Sequence, residues 1–333
     1  MTVTQKDVAL RARVSISTVC LVLRDDPRIS DQTRKSVLEA ASELGYLART
    51  SLHTPSDTHH IGVLLANPGV HPTADHFFGE VMHGVTEESE RFGHTVSVSA
   101  FDGKTLPRLA RERRVHGFII GGAPISPSLI EQVRAMTLPS VFIGRYPNHL
   151  HLNAALTDNP AGAALATEHL LKLGRRKILF ISGDPHEAVV SQDRVEGFLR
   201  AHREQGLQPG PMLHAQRTIE GGMEAMQNAL SEGIPFDAVF AAEDLMALGV
   251  LRVLKQQGIR VPEDVAVVGY SDIHMASLSD PPLTTVHVPR RRLGRTAARL
   301  LDDLLTGRAE PNLHVTVPPR LVIRSSCGGV PDS

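Results

Sequence analysis

The chain has little cysteine, little net charge and no long apolar run. Two cysteines, Cys20 and Cys327, stand far apart in 333 residues, so a disulfide framework is excluded and a reducing cytoplasm is the expected compartment. The formal net charge is −1, so the chain is no polycation and any contact with nucleic acid must be local. No stretch approaches membrane-spanning length, and the polar start holds no apolar signal core. Neither membrane insertion nor export is expected. Missing too are G-x-S-x-G, a P-loop, paired-cysteine zinc spacing and a dinucleotide fingerprint after the first apolar strand. An α/β enzyme therefore has no signature to stand on, and no cofactor is expected.

What is there begins at the N-terminus. Thr4 is placed to cap a helix whose Val8, Ala9 and Ala12 share a face, with Asp7 adding a carboxylate to its positive end. After a break at Arg13–Val14, Ser15 is a second cap. The next helix buries Val19, Val22 and Leu23 and turns Ile16, Ser17, Cys20, Leu21 and Arg24 outward. Two short capped helices joined by a tight turn, one with an uncommitted face, read as a helix-turn-helix offered to the DNA major groove. Ser30 caps a third helix, with Val37, Ala40, Ala41 and Leu44 on one side and Gly45 at its end. Over residues 1–53, eight Lys or Arg face six Asp or Glu, which is only a mild basic excess.

Residues 50–60 are polar, contain Pro55 and have no periodicity, which places a linker there. From Ile61 short apolar strands alternate with helices. Ile61–Ala66, Thr95–Ala100, Gly117–Gly121 and Ser140–Gly144 form one series, with a helix from about Phe77 to Phe92. Lys177–Ser182, Ala238–Ala242 and Val265–Tyr270 form a second. Such alternation implies parallel sheets covered on both faces, and two series imply two lobes with a ligand cleft at the strands' carboxyl ends.

The pattern T-x-x-D-V-A-x-x-A-x-V-S-x-x-T-V, followed by S-x-x-T-R-x-x-V-L-x-A-A-x-E-L-G-Y, resembles the DNA-binding domain of the lactose/galactose repressor family. The resemblance runs on through D-N-P-A-G-A-A-L-A-T-E-H-L-L-K-L-G from Asp158, D-R-V-E-G-F from Asp193, A-A-E-D-L-M-A-L-G from Ala241, V-P-E-D-V-A-V-V-G-Y from Val261 and P-P-L-T-T-V from Pro281. It implies an α/β chain: a three-helix head (1–49), a linker (50–60) and a two-lobed core like periplasmic binding proteins (61–333). The N-lobe is expected at about 61–157 plus 287–316, the C-lobe at about 158–286 plus 317–327. It implies a homodimer, a transcriptional repressor, on double-stranded operator DNA, controlled by a small-molecule effector such as a carbohydrate or related metabolite. No leucine heptad follows Arg320–Ser326, so a dimer rather than a tetramer is expected.

Matching positions imply phosphate contacts at Ser15 and Thr18 and base-edge contacts at Ile16, Ser17 and Leu21, with Thr4, Arg24, Tyr46 and Leu52 completing the DNA-facing set. The sequence departs from the family at several of these places. Arg13 replaces the turn glycine, and Leu21 the base-reading arginine; Ile16 and Leu21 suit thymine methyls rather than guanine. The linker loses the family's proline and asparagine, so Leu52 as a minor-groove wedge and a plain flexible linker are both open. For the effector, Phe77 and Phe78 match a stacking aromatic pair, and Arg145 and Arg194 match cleft arginines. Glu243 stands where asparagine is usual and Ser271 where aspartate is usual, followed by Asp272. A modified sugar, a sugar acid and an unrelated metabolite all remain open, as does whether ligand releases or promotes DNA binding.

Blander readings exist for several of these residues. Phe77 and Phe78 could be core, Arg194 a surface ion-pair residue, and Arg290–Arg292 a solvated helix start. His59, His60, His71 and His76 lack the tight second ligand set of a metal site, and no metal is expected; a redox role for Cys20 has no sequence support. A solute-binding protein of a transporter is the nearest functional rival, disfavoured by the capped N-terminal helices.

Overall fold

The computed structural model describes residues 4–23, 29–44, 59–66, 72–112, 114–122, 125–146, 152–184 and 189–330. The chain divides into two units, Met1–Thr58 and His59–Ser333.

The first unit contains α1 (Gln5–Ala12), α2 (Ile16–Leu23) and α3 (Asp31–Glu43). Val8, Ala9, Val19, Val22, Val37, Ala40 and Ala41 make its small core. Those positions are the apolar faces that helical spacing assigns. Arg24, Tyr46 and Leu52 lie outside the described residues, as do the side chains of Cys20 and Leu23 and the proposed linker from Thr50 to Thr58.

The second unit holds two six-stranded sheets. The N-lobe elements are β1 (His60–Ala66), α4 (Pro72–Arg91), β2 (Thr95–Phe101), α5 (Arg108–Arg111), β3 (Gly117–Gly122), α6 (Pro127–Ala135), β4 (Ser140–Ile143) and β5 (Asn153–Thr157). In the C-lobe follow α7 (Asn159–Lys172), β6 (Ile178–Ser182), α8 (Val189–Glu204), β7 (Met212–His214), α9 (Ile219–Ser231), β8 (Ala238–Ala241), α10 (Asp244–Gln256), β9 (Ala266–Ser271), α11 (His274–Leu278) and β10 (Thr284–His287). The chain then returns to the N-lobe as α12 (Arg290–Leu305) and β11 (His314–Val317), and finishes in the C-lobe with β12 (Arg320–Val322).

The N-lobe order is β11-β5-β4-β3-β1-β2, all parallel. The C-lobe order is β12-β10-β9-β8-β6-β7, parallel except that β12 runs antiparallel to β10. The strands β6, β8 and β9, buried along their whole length, lie inside the sheet with helices on both faces, as parallel pairing requires. Edge strand β2 is only partly covered.

Between Asp102 and Gly117 the described residues hold one short helix, α5. Three details differ from the sequence reading. Helix α4 starts at Pro72 rather than Phe77. His287 still belongs to the C-lobe sheet and Val317 to the N-lobe sheet, so these two crossings fall one residue later than 286/287 and 316/317. The Arg290–Arg292 run is not merely solvated. Arg290 donates to the Asp272 carbonyl at 2.8 Å and Arg291 pairs with Glu87 on α4 at 2.9 Å.

Helices α4 and α12 cross glycine to glycine. A Cβ on Gly84 would lie 2.0 Å from the Arg291 carbonyl oxygen, and one on Gly294 would lie 2.0 Å from that of Val81. The two backbones touch, which lets Leu293, Ala297, Leu300 and Leu301 seat against the sheet.

Candidate functional site

In the head unit, the turn between α1 and α2 sets the geometry. Arg13 takes the left-handed conformation (φ 55°, ψ 43°), and the Val14 N–H closes on the Ala9 carbonyl at 3.0 Å. The cap of α1 is made from the acid side: Thr4 donates its N–H (2.8 Å) and its hydroxyl (2.7 Å) to one Asp7 oxygen. Thr4 and Asp7 together form a capping box. The two Thr4 donors hold the Asp7 pKa below the ordinary value. Ser15 does cap α2, accepting the Thr18 N–H at 3.0 Å. Its hydroxyl also meets those of Ser17 (2.7 Å) and Thr18 (2.8 Å). Ile16 is 47% exposed and Leu21 half-buried. Three hydroxyls at a helix N-terminus, followed by two apolar side chains on the outer face, suit phosphate contact at one end and base edges along the groove.

In the core unit, the polar candidates follow strand ends. Arg145 comes two residues after β4, Glu243 two residues after β8, and Ser271 closes β9. Phe77 and Phe78 meet edge to face, ring centres 5.1 Å apart. Phe77 packs against apolar clusters of both lobes, so it sits where the lobes meet. Gly121 leaves the room Phe78 needs, since a Cβ there would come within 2.7 Å of the ring.

Arg145 bridges the lobes by an ion pair with Asp193 of α8 at 2.6 Å. Burial pushes the Asp193 carboxyl above its usual range while Arg145 pulls the other way. Arg194 is buried. Its guanidinium lies 3.9 Å over the Tyr270 ring, donates to the Ala242 carbonyl and to Asn159, and pairs with Glu243 at 2.6 Å. Burial also drives the Tyr270 hydroxyl up to about 12, so it stays protonated and donates to Asn159 at 3.2 Å.

Glu243 is the centre of the group. Arg194 holds one oxygen, Arg217 stands 3.8 Å away, and the Ser271 hydroxyl donates to the other oxygen at 2.9 Å. Burial opposes its charge, and the two arginines with the Ser271 bond outweigh that and hold it ionised. Ser271 and Asp272 both have positive φ (116° and 55°), a conformation costly for side chains and tolerated where a site demands it.

Asp272 faces other partners. Arg324 holds one carboxylate oxygen at 2.7 Å and His287 the other at 2.8 Å. Burial disfavours its charge, yet these two contacts bring its pKa down to about 2. Its carboxylate ties β9 to β10 and to the segment after β12, near where the chain crosses between lobes.

Comparison with known proteins bears on both units. Residues 4–48 match the model for bacterial regulatory proteins of the lacI family, and residues 167–327 match a periplasmic binding protein-like domain. The transcriptional repressor CytR of Escherichia coli (strain K12) is 32% identical over 337 aligned positions, covering 98% of this chain and 97% of its own length. The chain belongs to the LacI family. The repressor PurR of Aliivibrio fischeri (strain MJ11) is also 32% identical, over 97% of this chain and 98% of its own. Among solved structures, a Lac repressor dimer bound to operator and the anti-inducer ONPF superposes with a TM-score of 0.83 at 27% identity, covering 98% and 99%. A complex of the regulator CelR with cellobiose gives 0.73 at 30% identity, covering 97% and 99%. These named relatives are transcriptional regulators or repressors.

For this LacI-family chain, the structure gathers Arg194, Glu243 and Ser271 into one group and joins Arg145 to it through Asp193, the neighbour of Arg194. Sequence reasoning had not singled out Asp193, Arg217, Tyr270 or Asn159. Asp193 was within reach, standing beside Arg194 in D-R-V-E-G-F; Arg217 carried no signal, being a lone arginine before the Thr218 helix cap. Among the described residues no three His, Cys, Asp or Glu side chains converge as metal ligands, and no helix is long and apolar enough to cross a membrane. His59 instead packs edge-on against His94 and His116.

Proposed function

We propose that the protein is a sequence-specific transcriptional repressor whose hold on operator DNA is controlled by a small molecule bound between the core lobes. The observation that carries this reading is α2, a capped helix with its inner face filled by Val19 and Val22 and its outer Ser15, Ile16 and Ser17 left exposed. Ser15, Thr18 and Arg13 grip phosphates, with Thr4 beside them; Ile16, Ser17 and Leu21 read base edges. Arg24, Tyr46 and Leu52 extend that contact. Residues 1–49 form the head, 50–58 the linker and 59–333 the core. As in the Lac repressor complex, two copies engage one operator, so the active form is a homodimer.

In the core, Phe77 and Phe78 stack on the ligand while Arg145, Arg194, Glu243 and Ser271 address its polar edge; Asp272 acts indirectly, by fixing the Ser271 turn. Ligand changes operator affinity only as far as it binds the two lobe arrangements unequally.

Selection of labelled random duplexes by the purified chain at low salt tests the reading. Retention of a palindromic consensus, lost on deletion of residues 1–58, is the expected result. Indifference to every duplex, with and without metabolites, overturns it.

A further inference from the structure

The arginines of the candidate ligand group are paired with carboxylates of the protein's own. Arg145 faces Asp193 at 2.6 Å, Arg194 faces Glu243 at 2.6 Å, and Arg217 faces the same Glu243 at 3.8 Å. Asp158, capping α7 through the Ala161 N–H, adds a third carboxylate whose charge reaches Asp193 and Tyr270. The three guanidiniums are thus met by two carboxylates from the protein itself, Asp193 and Glu243, with the negative charge of Asp158 nearby.

Glu243 is not free to step aside. It lies at the junction of β8 and α10, with the Ser271 hydroxyl on one oxygen and Arg194 on the other. It is also accessible: its side chain is 16% exposed, and Arg217 beside it 37%. A carboxylate offers about four acceptor positions, so Glu243 and Asp193 keep acceptor capacity open to a ligand, and Arg217 keeps donors.

Building on the effector-cleft reading above, we propose that Glu243 makes this cleft selective for an uncharged, hydroxyl- or N–H-bearing small molecule and closes it to acids and phosphorylated compounds. An anionic group brought to Arg194 or Arg217 meets a carboxylate already in place, and the like-charge contact rejects it. An uncharged ligand donates to the open positions of Glu243 and Asp193, accepts from Arg217 and rests its carbon face on Phe77 and Phe78. Of the ligand classes the sequence leaves open, the sugar acid is the one removed.

The test uses the full chain, with inorganic phosphate and D-galacturonate as probes, by calorimetric titration and thermal unfolding at ionic strength matched with sodium chloride. In the wild type neither probe raises Tm beyond the chloride control. Glu243→Gln binds phosphate at least tenfold more tightly, and adding Arg217→Met removes the gain. Because Gln at 243 leaves Arg194 buried with less compensation, Asp193→Asn is run in parallel. It releases the exposed Arg145 and shows the same gain. Wild-type binding of either anion that Arg217→Met abolishes, or no gain in either single variant, overturns the proposal. Operator titration of a phosphate-binding variant separates the two levels. If phosphate binds but leaves operator affinity unchanged, the charge rule stands and the effector role of the cleft falls.

Discussion

At the scale of single residues, Arg13 answers two opposed demands. Its left-handed backbone costs a side-chain-bearing residue about 1 kcal/mol relative to an unstrained site, yet its exposed guanidinium stands at the turn that presents α2. Arg13→Gly is expected to raise the melting stability of the head by up to about 1 kcal/mol. The same change lowers the slope of log operator affinity against log salt by about one, the loss of a single phosphate contact. Denaturation and a salt series on one preparation read both effects, and an unchanged slope removes Arg13 from the phosphate set. Leu21 tests the base edge instead. With Leu21→Ala the ranking of operator variants changes at thymine positions while the salt slope holds; a uniform loss across all variants places Leu21 away from the bases.

At the scale of elements, helix crossings carry information that local pattern hides. Alanine at Gly84 gains about 1 kcal/mol of helix propensity, so an isolated helix would be stabilised. In the fold its Cβ would sit 2.0 Å from the Arg291 carbonyl, and α4 and α12 must separate to admit it. Gly84→Ala is expected to destabilise the core by about 1–3 kcal/mol in urea, and Gly84→Ala with Gly294→Ala to cost less than the sum, because one separation serves both. Stabilisation would show that the helices do not touch there. Central strands such as β6, β8 and β9 were legible because strands buried on both faces are written as unbroken apolar runs. Strands β5, β7, β10, β11 and β12 were not, being short or dilute in large apolar residues, with β7, β11 and β12 at sheet edges. The glycine contact was invisible because its two halves lie on helices far apart in the chain. Family-matched positions singled out Arg194, Glu243 and Ser271, whereas the pairing that neutralises them depends on how α8, β8 and β9 assemble.

At the scale of the whole molecule, acid titration of the core has a worked sign. Asp244, at the start of α10 and beside Glu243, is buried, and burial raises its pKa to about 6 in spite of bonds from Thr285 and the Ile273 N–H. The folded state therefore holds its proton more tightly than the unfolded chain, whose aspartate titrates near 3.8. Stability from this group is fully present below about pH 4 and is lost as pH rises through about 6. Asp272 runs oppositely: held down to about 2, it contributes stability above the unfolded value and loses it as pH falls from about 4 toward 2. Taken together, these two groups favour an acidic optimum for the C-lobe. Asp244→Asn removes the first dependence and leaves the second. Between pH 7 and pH 5 the wild type is expected to gain on the order of 1 kcal/mol relative to Asp244→Asn in urea midpoint stability, with the histidine titrations common to both cancelling in the difference. A parallel pair of profiles over that interval would mean that Asp244 is charged in the folded protein, and the fall in stability on the alkaline side of the optimum would then not come from Asp244.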